Sequence, residues 1–285
     1  MAIKVNTGWQ KKVWRVPRLD NLELLHLKNH SYEYPPHMHE EYSIVLILNG
    51  SETTTCRMGS HTAFAGDLLL INADELHSSK SATVEYRVMK LKAKTIAESL
   101  SWIWSHRLER RYFPELIIKD RILFQTLLRL HLKLEQQDTA LAQESDFASA
   151  ITLLLTRTAG RHLALPRAGK ESHHVERIRD YLKANYAGNV SLADLTSITN
   201  LSPFYLLRVF RNRIGCPPHE YQTQLRIANA RKLLREGKSV SRVALETGFF
   251  DQSHFSRSFK RIVGVPPGYY SSQSKIVQDG NTNIW

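Results

Sequence analysis

Residues 202–218 read SPFYLLRVFRNRIGCPP, and residues 251–267 read DQSHFSRSFKRIVGVPP. The two stretches are one pattern written twice, 49 residues apart: Arg208 falls on Arg257, Phe210 on Phe259, Arg211 on Lys260, Gly215 on Gly264, and Pro217-Pro218 on Pro266-Pro267. A period of this size marks a repeated supersecondary unit. Each copy opens on a residue whose side chain can cap a helix N-terminus, Ser202 or Asp251, and closes on a glycine followed by a proline pair. Leu206, Val209 and Phe210 in the first copy, and Phe255, Phe259 and Ile262 in the second, form a buried stripe. That leaves Arg208, Arg211, Arg257 and Lys260 on other faces.

A short helical segment precedes each copy. Leu192 to Ile198 leads through Thr199-Asn200-Leu201, and Val240 to Thr247 leads through Gly248-Phe249-Phe250. Helix, tight turn and basic amphipathic helix make a helix-turn-helix, and the chain carries two. An ordinary helical hairpin with a solvated basic face is the competing reading. The repetition, the caps and the arginine at one matching position favour DNA.

With these residues in view, the last 100 or so residues resemble the DNA-binding domain of the AraC/XylS family of transcription regulators. Gly248, Phe249, Asp251, Gln252, Ser253, Phe255, Ser256, Phe259, Lys260, Gly264, Pro266 and Pro267 carry the resemblance. It implies a long helix joining the two units, supplied here by Glu220 to Arg235. At ~1.5 Å per residue this helix spans ~24 Å, against ~34 Å between successive major-groove faces. Engaging both grooves then requires bent DNA or partial insertion of one helix. By the same resemblance, Phe204, Leu207 and Arg208 face the groove in the first unit. Gln252, Ser253, His254, Ser256 and Arg257 do so in the second. Arg208 and Arg257 suit bidentate hydrogen bonds to guanine, and Gln252 suits adenine. Arg211 and Lys260 suit phosphates.

The charge supports this placement. The 285 residues carry a net charge of +12. From Lys170 to Lys275 there are 17 Lys/Arg against 8 Asp/Glu, so the excess lies where the repeat lies. Hydrophobic content of 42% and charged content of 23% fit a soluble globular protein long enough for two domains. The two cysteines, Cys56 and Cys216, read as free thiols of a reducing compartment. With no signal peptide and no membrane span in the pattern, a cytoplasmic protein is expected.

Upstream of the repeat the pattern is that of strands. Leu22 to Leu27, Tyr42 to Leu48, Glu52 to Arg57, Leu68 to Ile71 and Val84 to Leu91 are short β-rich runs, and Asn49-Gly50 is a type I′ hairpin signal between two of them. Many short antiparallel strands suggest a small barrel. The run Pro35-Pro36-His37-Met38-His39 with Gly50, and Gly66-Asp67 through Asn72, Asp74 and His77, resemble the two cupin motifs. Ala73 and Asp74 stand where those motifs have proline and glycine, and Glu40 and Glu41 come too early for the usual acidic residue. In AraC-type regulators such a barrel binds an effector, so the resemblance implies effector contacts from His37, His39, Tyr42 and His77. No metal or cofactor is expected; a metal, if any, would take His37, His39 and His77.

From Thr95 the period turns helical. Leu123, Leu127, Leu130 and Leu134 recur as the narrow seam of a pairing helix, which the resemblance assigns to a dimer contact; packing on the barrel or on the next helix, Glu144 to Leu163, is the other reading. Pro166 and Gly169 mark a basic linker, and helix His174 to Tyr186 opens the last domain.

The fold class expected is therefore α+β: a cupin-like β-barrel with flanking helices over residues 1–163, a linker over 164–173, an all-α double helix-turn-helix domain over 174–273, and a disordered polar tail over 274–285. The function expected is sequence-specific DNA binding under control of a small-molecule effector, by a homodimeric activator that contacts RNA polymerase. It is not expected to be an enzyme or to bind a membrane. The alternatives are a metal-dependent cupin enzyme or metal sensor fused to a DNA-binding domain, and an effector-independent regulator. No nucleophile elbow, phosphate-binding loop or paired cysteine motif occurs.

Overall fold

A computed structural model describes residues 10–103, 113–158 and 172–272. Of the expected linker at 164–173, residues 164–171 lie outside the described residues, as does the tail at 274–285; Ser172 and His173 belong to a helix instead. The chain divides into two units, one of Met1–Gln136 with Asp146–Pro166, the other of Gln137–Ser145 with Arg167–Trp285.

The first unit is built on one antiparallel sheet. Its strands are β1 (Gln10–Val16), β2 (Leu22–His37), β3 (Glu41–Cys56), β4 (Gly59–Phe64), β5 (Leu68–Ile71), β6 (His77–Lys92) and β7 (Ile117–Ile118). They lie in the order β1-β2-β6-β3-β5-β7, with β4 also paired to β3. Strands β2, β3 and β6 are each 16 residues long and pass through register shifts. The expected hairpin at Asn49-Gly50 is one of these. Gly50 does adopt positive φ, at 75°, but β3 runs straight through it while its register against β6 slips. A Cβ at Gly50 would collide with the Thr83 carbonyl. The left-handed residue therefore serves a bulge that bends the strand rather than a turn that reverses it. The reversal comes later, at Arg57-Met58, where Cys56 pairs with Gly59.

Strand alternation sends side chains to two faces. On one face Tyr42, Ile44, Leu46, Leu68, Leu70, Met89 and Leu91 are buried against helices α1 (Ala93–Ile103), α2 (Arg121–Lys133) and α3 (Ala140–Thr158). Leu123, Leu127, Leu130 and Leu134 all belong to this cluster and are buried within the chain. The leucine seam is thus core packing and is unavailable as the surface of a dimer contact. Each such leucine stabilises the unit by roughly 1.5–3 kcal/mol.

A polar clasp fixes α2 on the same face. Arg87 donates to His131 Nδ1 at 3.0 Å and to His26 Nδ1 at 3.1 Å. His131 Nε2 therefore carries the proton, and it donates to the Leu25 and Val88 carbonyls, both at 3.1 Å. Burial, then the Arg87 charge, hold the His131 pKa down to about 4. The Trp14 ring meets His131 edge-on at 5.0 Å.

The opposite, inner face holds Leu27, Val45, Ile47, Leu69, Ile71, Val84, Tyr86 and Val88.

The second unit is helical: α4 (Ser172–Ala184), α5 (Leu192–Thr199), α6 (Pro203–Ile214), α7 (Pro218–Arg235), α8 (Val240–Glu246) and α9 (Gln252–Val263). Its core is aromatic around Phe249, Phe255 and Phe259, packed on Ile227, Ala230 and Leu234 of α7.

Candidate nucleic-acid interface and sheet interior

Helices α5 and α6, and again α8 and α9, are the two helix-turn-helix pairs. All four start on a side-chain cap. Ser191 and Asp194 form a reciprocal capping box, Ser202 accepts from the Tyr205 N–H, Ser239 from Arg242, and Asp251 from His254. Asn200, at φ 55°, turns the chain between α5 and α6. Gly215 and Gly264, both at φ 91°, end α6 and α9 in matching left-handed caps. The sequence repeat is therefore a repeat of start signals and stop signals, and it yields two helices of 12 residues each.

The pairs are tied together by the loop at 185–188. From α7, Arg226 Nε donates to the Tyr186 carbonyl at 2.7 Å and its Nη2 to the Gly188 carbonyl at 2.9 Å. Gln222 Nε2 reaches the same two carbonyls at 3.1 and 3.2 Å. Burial lowers the Arg226 pKa to about 10, and its guanidinium lies 5.8 Å from the Phe249 ring centre. Gly248, at φ 79°, brings the α8–α9 turn onto this loop; a Cβ there would collide with the Ala187 carbonyl.

On α9, Gln252, Ser253, Arg257, Lys260 and Arg261 are exposed while Phe255, Ser258 and Phe259 are buried. On α6, Arg211, Asn212 and Arg213 are exposed. Cations at the ends of both helices and uncharged polar groups at the start of α9 give a surface that can hold phosphates and probe base edges.

On the inner face of the sheet, His37, His39 and His77 converge. Ring centres are 4.4 Å apart for His37–His77, 5.1 Å for His39–His77 and 6.2 Å for His37–His39. Each Nδ1 donates to a backbone carbonyl, of Pro35, Glu41 and Glu75 respectively. That fixes the tautomers and leaves Nε2 of His37 and His77 as the groups the cluster can offer, while the Ser43 hydroxyl lies 3.4 Å from His39 Nε2. Burial lowers the pKa values of His39 and His77. Among the described residues, no group of three His, Cys, Asp or Glu is arranged to hold a metal ion.

Comparison with known proteins resolves the reading. Residues 21–154 match the AraC-like ligand binding domain and residues 195–273 a helix-turn-helix domain. The uncharacterised HTH-type transcriptional regulator YbfI of Bacillus subtilis is 30% identical over 241 residues, covering 82% of this chain and 86% of YbfI. The chain belongs to the AraC family of transcription regulators. It is thus a DNA-binding regulator with an N-terminal ligand-binding domain and an α+β architecture. A probable regulator of Photobacterium leiognathi, LumQ, is 27% identical over 82% of this chain and 90% of its own. A solved structure of ToxT from Vibrio cholerae covers 92% of this chain and 97% of its own at 16% identity, with a TM-score of 0.36.

The regulator's anticipated site residues divide unevenly. Gln252, Ser253, Arg257, Lys260 and Arg211 are exposed, and Phe204, Arg208 and Ser256 are half-buried. The Arg208 guanidinium lies 5.2 Å from the Tyr205 ring centre. Leu207 is 6% exposed and belongs to the helix's buried stripe, so it is a packing residue and not a base contact. His254 packs edge-on to Phe249 at 5.4 Å and points Nε2 toward Asp138 at 3.7 Å, which draws it off the exposed side of α9. Burial lowers its pKa, with Asp138 opposing. Tyr42 lies on the helix-covered face against Phe113, so the pleat separates it from the three histidines. Sequence reasoning passed over Tyr32, Tyr34, Glu52 and Tyr86 of the inner face; alternation of Glu52, Thr54 and Cys56 beyond the Gly50 bulge is the signal that places Glu52 there.

Proposed function

We propose that the regulator reads paired DNA half-sites and that a small molecule held on the inner face of the sheet, near His37, His39 and His77, alters promoter occupancy. The observation that carries this reading is the duplicated, fully capped helix-turn-helix whose second helix exposes Gln252, Ser253 and Arg257. Arg257 takes a guanine, Gln252 an adenine, and Arg211 and Lys260 take phosphates, with Arg208 and Phe204 contributing from α6. The effector acts by shifting the population between arrangements for which its affinity differs. We further assign it as a cytoplasmic homodimer that recruits RNA polymerase as an activator and performs no catalysis. For a second copy, α2 offers its outer side, where Ile122 and Leu132 are exposed.

Selection of genomic fragments by the purified chain at two salt concentrations tests this. The expected result is a few sites with half-sites about one helical turn apart that survive the higher salt. Uniform release of all fragments as salt rises would reduce binding to phosphate attraction alone. On the best site, Arg257→Ala should cost ~1–3 kcal/mol and relax one base preference, whereas Arg211→Ala should weaken all sequences alike. Unchanged operator binding by the Arg257 variant would overturn the groove assignment.

A further inference from the structure

The inner face holds a second constellation besides the histidines. Glu52 of β3 is 5% exposed, and its Oε2 makes no hydrogen bond. Its Oε1 accepts from the Thr54 hydroxyl at 3.5 Å. Three tyrosines gather beside it. The Tyr32 and Tyr34 rings lie 4.5 Å apart and tilted by 38°, and Tyr86 meets Tyr32 edge-on at 6.1 Å. Burial raises the Glu52 pKa, and the groups opposing that rise are the hydroxyls of Tyr32, Ser79 and Thr54, with no cation among them. Tyr34 is 42% exposed and meets His37 at 6.0 Å, which joins this cluster to the histidines and opens it to solvent at that end.

A buried carboxyl oxygen without a donor is retained at a cost in stability. Its natural complement is a group carrying both positive charge and an N–H. Tyrosine faces present negative potential to a cation and favour it further in a desolvated site. An ammonium ion beside Glu52 favours the ionised carboxylate that burial disfavours, whereas an anionic ligand favours the neutral acid and gains no such attraction. We infer that the inner face binds an organic ammonium ion that donates an N–H to Glu52 Oε2 and lays its charge against Tyr32, Tyr34 and Tyr86. The inference rests on the inner face being the effector site and names the chemical class that site takes. The histidine end then receives the rest of the molecule through Nε2 atoms, so the ligand is a cation with a polar or aromatic body.

The test is titration calorimetry of the full-length protein with three probes of one shape: benzylammonium, benzyl alcohol and benzoate. Benzylammonium should bind at least tenfold more tightly than either isostere. Glu52→Gln, which keeps the volume and removes the charge, should lose that preference while its circular dichroism stays native. Equal binding of the alcohol or the benzoate, no binding of benzylammonium up to tens of millimolar, or unchanged ammonium binding by Glu52→Gln would each overturn the ammonium assignment. Tyr86→Phe provides a second reading: it preserves the ring face and should keep most of the affinity, whereas Tyr86→Leu should not. Equal affinity in both would remove the ring from the site. Failure here is separable from failure of the effector reading. A neutral or anionic metabolite that changes operator binding, and loses that effect in His77→Ala, would leave the effector site standing and exclude the ammonium class.

Discussion

Stability of the sheet unit should depend on pH through His131. In the fold, Arg87 donates to Nδ1 and two carbonyls take the Nε2 proton, so the ring must be neutral. Its pKa is held at about 4, against an ordinary 6.5 in the unfolded chain. Between those values the unfolded chain binds a proton that the native state refuses. Stability from this group is therefore complete above pH 6.5 and is lost progressively as pH falls toward 4. The difference of about 2.5 units, at roughly 1.36 kcal/mol each, sets a loss of about 3 kcal/mol. His39 and His77, also lowered, push in the same direction, so the diagnostic quantity is a difference between proteins. His131→Gln keeps an acceptor for Arg87 and a donor for the carbonyls but cannot titrate. Urea unfolding can be followed by tryptophan fluorescence, because Trp9, Trp14, Trp102 and Trp104, four of the five tryptophans, lie in the N-terminal part. From pH 7 to 4.5 the native sequence should lose about 2.4 kcal/mol more than the variant, the rest of the loss falling below pH 4.5. Parallel pH curves would refute the assignment of a buried neutral imidazole.

Other outcomes follow from the packing. Gly248→Ala should destabilise the helical unit by several kcal/mol in thermal unfolding, since the new Cβ meets the Ala187 carbonyl and the position has φ 79°. Leu207→Ala should cost about 2–5 kcal/mol of stability while leaving base preferences intact at a temperature where the variant is folded; altered specificity with unchanged stability would return Leu207 to the groove. Leu127→Ala should cost a similar amount in the sheet unit, about 2–5 kcal/mol, without changing the mass seen by sedimentation. Asp251→Ala removes the α9 cap and should lower helical-unit stability by about 1 kcal/mol in urea titrations.

What was legible in the sequence was mostly local. Caps act over three residues, and a left-handed glycine stop needs only its own neighbours, so α5, α6, α8 and α9 could be read almost to the residue. Faces were harder. Leu123, Leu127, Leu130 and Leu134 have the same spacing whether a helix meets a partner copy or its own sheet, and only the presence of Ile44, Leu46 and Met89 decides. Leu207 sits inside a stripe that includes Leu206, Val209 and Phe210, wider than a two-position seam predicts. A resemblance that groups Tyr42 with the histidines as effector contacts does not say which face each side chain takes, and one step along a strand reverses the face. Long strands were read as fragments because Pro35-Pro36 and Asn49-Gly50 look like breaks, whereas bulges absorb them. Glu52 gave no signal of its own; a lone acid in a threonine-rich run looks solvated until the bulge before it is known.

The loop at 185–188 dictates where this protein can be cut. The stretch matched as a helix-turn-helix domain begins at residue 195, beyond the carbonyls that Gln222 and Arg226 use. A fragment trimmed to that boundary would carry a guanidinium and an amide into an interior stripped of their acceptors, and Gly248 would face empty space. Helix α4 and its loop are thus not a lead-in to the DNA-reading part but its keystone. A fragment carrying both pairs must therefore include α4 and its loop, and its two pairs should melt together.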